Sequence, residues 1–441
     1  MSSEDGVAAT PLVLERAAHP ISRKRISESA IKVLYRLHRS GFLAYMVGGA
    51  VRDLLLNRRP KDFDIGTNAR PQQVRQLFRN ARLIGRRFRL ARVAFGTEIV
   101  EVATFRRSPE PPEMEDGETA DVLAEAPEVD EYGTPHEDAL RRDFTVNGLF
   151  YNVADFTVID YVNGLADLRA GVIRTIGPAR GRFGEDPVRM MRAVEYSARL
   201  GFRLDDELAE ALDGLHGEIH RAAPARIGYE LGESLRGGQA LPIFRGLEQA
   251  GLLHHIVPEA EAGTRGSEPL LWTLLGLADE KHRRGKPLRE ETLLTALFLP
   301  TALPWVRPAE VRGGDDGWER AIRELVDPAA LRLALSHFRG HLIRHALFMI
   351  RRLLQPPRST KHALRTMRHE AFPIAWEVAE LLVAATGQGY EGLGRWHEAR
   401  TRVATALPVT EERRVAGARR PRRRRRGPRR PANAPGVGDA A

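Results

Sequence analysis

Two aspartates, Asp62 and Asp64, lie two residues apart in the segment KDFDIG. In an extended strand, residues two apart face the same side, so the two carboxylates would lie side by side. Adjacent carboxylates repel each other unless a cation bridges them, and oxygen ligands of this kind suit Mg²⁺ or Mn²⁺. Glu101, in the apolar run EIVEVATF, is a third carboxylate that a neighbouring strand could place beside them. Three such carboxylates favour a site for phosphoryl or nucleotidyl transfer with two metal ions. The alternative interpretation is a solvent-exposed strand face that carries alternating acidic residues.

A glycine pair precedes these acids in the segment MVGGAVRDLL. A strand ending at Val47, followed by Gly48, Gly49 and a helix, makes a turn where the backbone can approach a phosphate closely. Arg52 could hold that phosphate. A Gly-Gly turn can also serve only tight packing, and Arg52 could be a solvent-exposed helix residue. The functional interpretation of this segment therefore depends on the acidic residues that follow it.

A second candidate group is the tripeptide RRD, formed by Arg141, Arg142 and Asp143. It offers two forked donors for phosphate and one acceptor for a sugar hydroxyl. Its alternative interpretation is an ordinary surface ion pair, which contributes little to stability.

The segment EDPVR has the residue types of a helix start. It predicts Asp186 as the N-cap, Pro187 at the first helical position, and Arg189 one turn later, where it could pair with Asp186.

Three histidines four residues apart, His337, His341 and His345, have a spacing that could bind a transition metal. With no carboxylate or fourth ligand close in sequence, a solvated or packed histidine stripe is the preferred interpretation, and these residues are left out of the predicted site.

The elements around these groups change in type along the chain. The apolar spacing predicts a helix from Ser27 to Gly41, then short strands at 42–47, 62–67, 98–105 and 157–162, with helical stretches at 50–57, 71–79 and 139–149. After Glu185 the strand signal almost vanishes, and amphipathic helices continue to about residue 405. The fold class predicted is α+β: a mixed α/β head with a small sheet, followed by an all-helical neck and body.

Composition limits the class of protein. The 441 residues are 42% hydrophobic and include no cysteine, which excludes disulfides and thiolate chemistry and fits a reducing compartment. There is no signal-peptide pattern and no apolar run long enough to span a bilayer, so we expect a soluble cytoplasmic protein without a transmembrane segment.

The net charge of +10 is located at one end of the chain. Residues 413–441 contain eleven arginines and one aspartate, which accounts for all of it, so residues 1–412 sum to zero. The core of this segment predicts a disordered tail that binds polyanions through its arginines: Arg419, Arg420, Arg422, Arg423, Arg424, Arg425 and Arg426. Residues 108–138 have the opposite bias, with twelve acidic residues and no lysine or arginine, and are predicted to be a mobile acidic loop.

These patterns predict five regions. They are a flexible N-terminus at 1–25, a catalytic head at 26–180 that contains the acidic loop, a helical neck at 181–260 for nucleotide and RNA binding, a helical RNA-binding body at 261–405, and the tail at 406–441.

Five ordered segments together resemble the motifs of the class II nucleotidyltransferases and cover most of residues 42–204. They are VGGAVRDLLLNRRPKDFDIGT, IVEVATFR, DALRRDFTVNGLFY, DYVNGLADLRAGVIRTIG and GRFGEDPVRMMRAVEYSARLGF. This superfamily includes the bacterial poly(A) polymerases and the CCA-adding tRNA nucleotidyltransferases. The arginine-rich stretch LIGRRFRLARVAFGTEIVEVATFR and the arginine tail are more similar to the polymerases. Two departures are Arg92, where histidine is expected, and Gly148, where alanine is usual.

The resemblance implies roles at the matching positions. Asp62 and Asp64 would hold the metals and act with Glu101 and Asp143 in the catalytic group. The residues implied to bind the nucleotide are Gly48, Gly49, Arg52, Arg141, Arg142, Asp186 and Arg189, with Asp186 and Arg189 facing the base and Asp143 serving the ribose.

The predicted function is template-independent addition of AMP from ATP to RNA 3′ ends, with Mg²⁺ or Mn²⁺ as cofactor. The tail could also recruit RNA-decay or RNA-chaperone proteins. A CCA-adding enzyme is the first alternative. A noncatalytic RNA-binding protein with the same fold is the second, but such a protein should have lost the carboxylates Asp62, Asp64 and Glu101, which are present here.

Overall fold

The computed structural model describes residues 10–85, 90–107, 132–265, 269–306 and 314–406. It confirms the predicted α+β class, with a head built on one mixed sheet followed by helices. Most of the predicted acidic loop (108–131) and the arginine tail (407–441) lie outside the described residues.

Eight strands form the head sheet in the order β1-β8-β7-β2-β3-β6-β5-β4. Only β3 and β6 pair in parallel; the other neighbours are antiparallel. The strand bounds are β1 Leu12–Leu14, β2 Ala44–Val47, β3 Asp64–Thr67, β4 Ala81–Ile84, β5 Leu90–Phe95, β6 Glu98–Thr104, β7 Leu149–Asn152 and β8 Val158–Asp160.

Five helices accompany this sheet: α1 Glu28–Arg39, α2 Gly49–Leu55, α3 Pro71–Leu77, α4 Pro135–Leu140 and α5 Gly164–Ala170. The predicted first helix starts where its cap residue indicates, since the Ser27 hydroxyl accepts a hydrogen bond from the Ala30 amide. Its apolar stripe buries Val33 and Leu37, which belong to the same core as Ile65 of β3. The side of β3 that carries Asp64 is opposite to this packed side and is left for the site.

The helical part begins after β9 Val172–Ile173, which pairs in parallel with β10 Arg203–Leu204, a short strand that follows the first two helices of this part. Its helices are α6 Ala179–Glu185, α7 Val188–Leu200, α8 Asp206–Leu215, α9 Pro224–Arg236, α10 Ala240–Gln249, α11 Leu252–Ile256, α12 Leu270–Arg283, α13 Glu290–Val306, α14 Gly314–Arg332, α15 His337–Leu353, α16 Thr360–Met367, α17 Phe372–Thr386 and α18 Tyr390–Ala406. One hydrophobic core runs from the head into these helices. None of the helices in the described part combines the length and apolar character needed to cross a membrane.

The helix predicted at 139–149 is wrong. Helix α4 ends at Leu140, a short 3₁₀ turn covers Thr145–Asn147, and β7 then begins at Leu149. The segment LFYN is buried between β2 and β8, where large apolar and aromatic residues favour a strand over a helix.

Two other predictions also need correction. Asp62 precedes β3 rather than lying on it, because β2 ends at Val47, the partner of Asp64, and offers no ladder further back. In the predicted flexible N-terminus, residues 10–25 are structured: β1 pairs with β8, and Ile21 is fully buried.

Candidate active site

A cleft of about 750 Å³ lies between the head sheet and helices α7 and α9. Every predicted site residue outside the tail lines it: Gly48, Gly49, Arg52, Asp62, Asp64, Glu101, Arg141, Arg142, Asp143, Asp186 and Arg189. These residues come from segments up to 141 positions apart, so the fold gathers them into one place.

The acidic centre of the cleft is built by strand register. Asp64 and Glu101 are direct partners in the parallel β3–β6 pair, which places both side chains on the same face. Asp64 is exposed to the solvent of the cleft, but loss of hydration from the surrounding protein atoms and the negative charges of Asp62 and Glu101 together raise its pKa to about 6, against a smaller lowering by Arg142. The ionised form of Asp64 is therefore held at an energetic cost, as expected of a carboxylate in a site that receives cations.

Glu101 already has a cationic partner in the structure. Arg92, its register partner on β5, places Nη2 and Nε 2.7 Å from Glu101 Oε1. Among the described residues, no three acidic or histidine side chains converge closely enough to hold a metal ion together. Glu101 is turned towards Arg92, and Asp62 and Asp64 both line the cleft beside it.

The glycine turn requires glycine at its first position. Gly48 has φ +71° and ψ −134°, a conformation that residues with a Cβ avoid. A Cβ there would lie 2.9 Å from Arg142 Nη1, so the close approach of Arg142 to this turn also depends on the missing side chain.

We expect Gly48→Ala to lower the free energy of unfolding by about 1–3 kcal/mol, because the alanine must adopt a backbone conformation that is nearly exclusive to glycine. Gly49→Ala is the matched control. Gly49 has no positive φ, and the nearest atom to its added Cβ would be 3.5 Å away. Urea unfolding of both variants measures the difference, and equal midpoints would refute the assignment of strain to Gly48.

Arg52 is a buried residue of the cleft wall, only 1% exposed. Its guanidinium donates to Asp53 Oδ1 and to Asn147 Oδ1, at 2.6–2.9 Å, and lies over the ring of Tyr196 on α7. These contacts hold the glycine turn, the segment before β7 and the neck helix together. Arg52 therefore has a clear structural role beside the predicted contact with phosphate.

The RRD tripeptide is tied to both parts of the molecule. Arg142 donates to Asp138 Oδ2 at 2.8 Å, and its guanidinium lies over Phe150. Arg182 on α6 donates to the backbone carbonyls of Arg141 and Arg142. The tripeptide is thus held in a defined position at the edge of the cleft.

Asp143 has a full set of hydrogen-bond donors from the protein itself. Oδ2 accepts two bonds from Arg192, at 2.6 and 2.8 Å, and Oδ1 accepts from the Phe144 amide and from Asn147 Nδ2. Two bonds to each oxygen fill the acceptor capacity of a carboxylate. In this state Asp143 anchors α7 and has no remaining acceptor for a sugar hydroxyl, so a ribose contact would have to displace one of these donors.

The predicted pairing of Asp186 with Arg189 is wrong. Asp186 Oδ2 pairs with Arg226 of α9 at 2.8 Å, while Arg189 Nη1 pairs with Glu185 Oε2 at 2.7 Å. Asp186 also ends α6 in an extended conformation, and α7 begins after Pro187. Tertiary contacts from α9 override the local i, i+3 pairing, and both side chains still line the cleft.

Helix α9 forms a wall of the cleft that was not predicted from the sequence. Arg226, Tyr229, Glu230 and Glu233 line it at helical spacing, and Tyr229 is 62% exposed. This spacing in RIGYELGE was a readable signal for one helix face. Glu233 also accepts a bond of 2.7 Å from Lys61, the residue before Asp62, and so connects α9 to the acidic centre.

The histidine stripe lies in the body and contributes nothing to this cleft. The His341 and His345 rings lie 4.1 Å apart, and His369 completes the cluster, with His341 Nε2 3.2 Å from Glu370 Oε1. His337 is exposed and has no part in the cluster. The fold thus brings a carboxylate and a further histidine to the stripe that the spacing alone did not indicate.

Comparisons with known proteins extend over the same regions. Residues 44–174 match the family model described as poly A polymerase head domain, and residues 201–263 match one described as probable RNA and SrmB-binding site of polymerase A. The chain is 40% identical to poly(A) polymerase I of Salmonella typhi over 382 residues, which covers 84% of this chain and 81% of the relative. A CCA-adding enzyme of Lactobacillus gasseri is 38% identical over 199 residues, 45% of this chain and 48% of that enzyme.

The fold comparison gives the same relationship. The crystal structure of Bacillus stearothermophilus CCA-adding enzyme in complex with CTP covers 87% of this chain and 83% of its own, with TM-score 0.60 and 25% identity. Fold and cleft together define the class of protein as a class II nucleotidyltransferase. Within that class, the chain belongs to the poly(A) polymerase family.

Proposed function

We propose that this chain is a polynucleotide adenylyltransferase that extends RNA 3′ ends without a template. The RNA 3′-oxygen forms a bond to the α-phosphorus of ATP, the bond from that phosphorus to the leaving oxygen breaks, and pyrophosphate departs while the hydroxyl proton passes to solvent. The observation that carries this proposal is the similarity to poly(A) polymerase I across 84% of the chain, which includes head, neck and body. The match to the CCA-adding enzyme of Lactobacillus gasseri covers 45% of the chain.

The acidic centre supports a role for Asp62 and Asp64 in holding Mg²⁺ or Mn²⁺. Bound there, the ions would lower the pKa of the RNA 3′-hydroxyl and neutralise charge that builds up on the α-phosphate. The two aspartates would hold the reacting groups in line at the head side of the cleft. Arg92 keeps Glu101 in place and limits the negative charge at the centre.

The basic side of the cleft supports binding of the triphosphate. Arg142 lies next to the Gly48 turn, and Arg141, Arg189 and Arg192 line the same space. Forked guanidinium donors match phosphate oxygens in geometry and charge. The triphosphate would then lie between the glycine turn and α7, with its α-phosphate towards Asp64.

Asp186 and Arg189 are proposed to select the base. Both line the cleft at the start of α7, and each is oriented by a partner: Arg226 for Asp186 and Glu185 for Arg189. A carboxylate and a guanidinium can together match the donor and acceptor edge of adenine and reject other bases.

We expect Arg189→Ala to reduce the preference for ATP over CTP, GTP and UTP by about tenfold or more, because one buried hydrogen-bond partner of the base is lost. Single-turnover incorporation with each nucleotide measures the change. Glu185→Gln is the control, since it removes the charge that pairs with Arg189 and Arg182 but leaves the Arg189 guanidinium. Unchanged selectivity together with a destabilised helix would assign Arg189 a purely structural role.

The same proposal extends to the process, the cell compartment and the partners of the protein. The enzyme would act in RNA processing in the cytoplasm, with ATP and RNA as substrates. The tail arginines would contact RNA or RNA-decay and RNA-chaperone proteins. The resemblance to poly(A) polymerases supports these assignments, and the tail itself lies outside the described residues.

One assay tests the proposal against its alternative. Purified protein with Mg²⁺ receives an unstructured RNA or a tRNA lacking CCA, and each nucleoside triphosphate is supplied singly and then in a mixture. Long ladders with ATP alone are the expected result. Addition of only C-C-A to the tRNA would establish the CCA-adding alternative, and no incorporation under any condition would favour a noncatalytic RNA-binding protein.

A further inference from the structure

A strongly basic surface lies in the body, on α15 and α16. Residues 337–371 contain eight arginines and lysines, five histidines and a single carboxylate, Glu370. Because residues 1–412 sum to zero charge, this segment is a local concentration and not a sample of the average. It also lies outside residues 201–263, the segment that matches the RNA-binding family model.

Six of these cations are not neutralised by carboxylates. Within the described part of the chain, none of the six makes an ion pair; they are Arg351, Arg352, Arg358, Lys361, Arg365 and Arg368. All except Arg351 are exposed. The two other arginines of the segment differ, since Arg339 pairs with Glu290 and Glu291, and Arg344 pairs with Asp327. The fold therefore leaves the cations of α16 and its flanks available to an external anion.

The cations are close enough to act together on one imidazole. Partial burial lowers the pKa of His362, and the charges of Arg352, Arg358 and Arg365 lower it further. Because these three cations act on the same side chain, their positive potentials add up in this region. A combined potential attracts a polyanion more strongly than separate charges do.

Packing fixes the surface in place. Trp396 of α18 donates from Nε1 to the carbonyls of Arg352 and Gln355, at 3.2 and 2.7 Å, and its ring lies 5.8 Å from that of His362. The end of α15, the loop that follows it and α16 are thus held against α18. A rigid array of cations loses less conformational entropy when it binds a ligand than a flexible array does.

An exposed aromatic side chain belongs to α18, the helix that packs against α15 and α16. Tyr390, at the start of α18, is 73% exposed. The residues around it pack on the end of α15, because a Cβ on Gly389 or Gly392 would collide with Leu354. Nucleic-acid bases stack on such rings with little dependence on sequence.

We propose that this surface, formed by Arg352, Arg358, Lys361, Arg365, Arg368 and Tyr390, binds the single-stranded RNA upstream of the 3′ end that occupies the cleft. The inference rests on the proposed function. Exposed cations without carboxylate partners suit the phosphates of RNA, and the exposed Tyr390 ring suits its bases. Together they provide a contact outside the cleft that only a longer RNA can reach.

The test is RNA binding by the triple variant Arg358→Gln/Lys361→Gln/Arg365→Gln in the full chain. We expect its affinity for a 25-nucleotide unstructured RNA at low salt to fall about tenfold or more. The slope of log affinity against log salt should flatten by about 2, since each lost phosphate contact removes about 0.7. Affinity for a five-nucleotide RNA, and the turnover rate with it, should not change.

The matched control removes three exposed cations from the head, as Lys32→Gln/Arg75→Gln/Arg79→Gln. It should leave both RNA affinities and the salt slope as they are. Equal salt slopes and equal RNA affinities for the two triple variants would overturn the proposal. The same result is expected if the body surface binds a protein partner and not RNA. If the protein incorporates no nucleotide yet the body variant loses long-RNA binding, the proposed function fails and this surface stands.

Discussion

Asp64→Asn should reduce nucleotide addition at least a hundredfold while making the metal-free protein more stable at pH 7. The loss follows from the role proposed for Asp64 in holding the catalytic ions. The gain follows from its surroundings, because loss of hydration and the charges of Asp62 and Glu101 make the ionised carboxylate unfavourable in the folded state. Activity and stability are thus expected to change in opposite directions.

The stability gain has a defined pH dependence. The pKa of Asp64 is about 6 in the folded protein, against a reference value of 3.8. The folded wild-type protein therefore loses stability as the pH rises from about 4 to 6, and the loss is complete above that range. Asparagine carries no charge, so the advantage of the variant should be small at pH 4 and largest above pH 6.

Thermal unfolding across this pH range, with and without Mg²⁺ and a non-hydrolysable ATP analogue, measures both effects. The ligands should raise the melting temperature of the wild-type protein and have much less effect on the variant. A variant that retains full activity at saturating Mg²⁺ would refute the metal-site assignment. A variant less stable than wild type at pH 7 would refute the electrostatic explanation.

The sequence predicts the strands that carry Asp64 and Glu101, because each residue lies in a short apolar run flanked by turn residues. The period of two and the apolar flanks place Asp64 and Glu101 on strands, and the register then makes them direct partners. The Arg92–Glu101 pair was not predicted, because β5 was not recognised in LARVAF and a pair across two antiparallel strands depends on their register. Charge contacts across a sheet require the strand order, which the sequence pattern alone does not contain.

Contacts between the head and the helices were the least predictable part. The i, i+3 rule predicts a pair between Asp186 and Arg189, but Arg226, 40 residues further along the chain, is the partner of Asp186. Helical spacing indicates that α9 has one face against the protein and does not indicate what lies opposite. For the same reason, the sequence did not indicate the pair that Asp143 forms with Arg192 of α7.

Asp143→Asn should lower the free energy of unfolding by about 2–3 kcal/mol at pH 7. Asp143 accepts two bonds from Arg192, and removing one charge of a buried pair leaves the other without compensation, at a typical cost of about 3–5 kcal/mol. The expected value is smaller because the Arg192 side chain is 30% exposed and also reaches Glu230 at 3.4 Å. Asp206→Asn, in an exposed ion pair with Arg203, is the control and should have little effect.

The pH dependence of Asp143→Asn is opposite to that of Asp64→Asn. Burial alone would raise the pKa of Asp143, but the charge of Arg192 and the bonds from Asn147, Arg192 and the Phe144 amide together lower it below its usual value. Its ionised form therefore contributes stability above about pH 4, and this contribution is lost as the pH falls through the lowered pKa. The difference in free energy of unfolding between the wild-type protein and Asp143→Asn should therefore become smaller at acidic pH.

The same variant separates the two roles considered for this carboxylate. If Asp143 serves only to anchor α7, the ratio of turnover with ATP to turnover with dATP stays at the wild-type value while the unfolding midpoint drops. If it also accepts a bond from the ribose, as the family resemblance implies, that ratio falls together with stability. Urea unfolding at pH 7 and pH 3.5, combined with single-turnover incorporation of both nucleotides, distinguishes these results. A variant as stable as wild type at pH 7 would show that the Asp143–Arg192 pair does not hold the neck to the head.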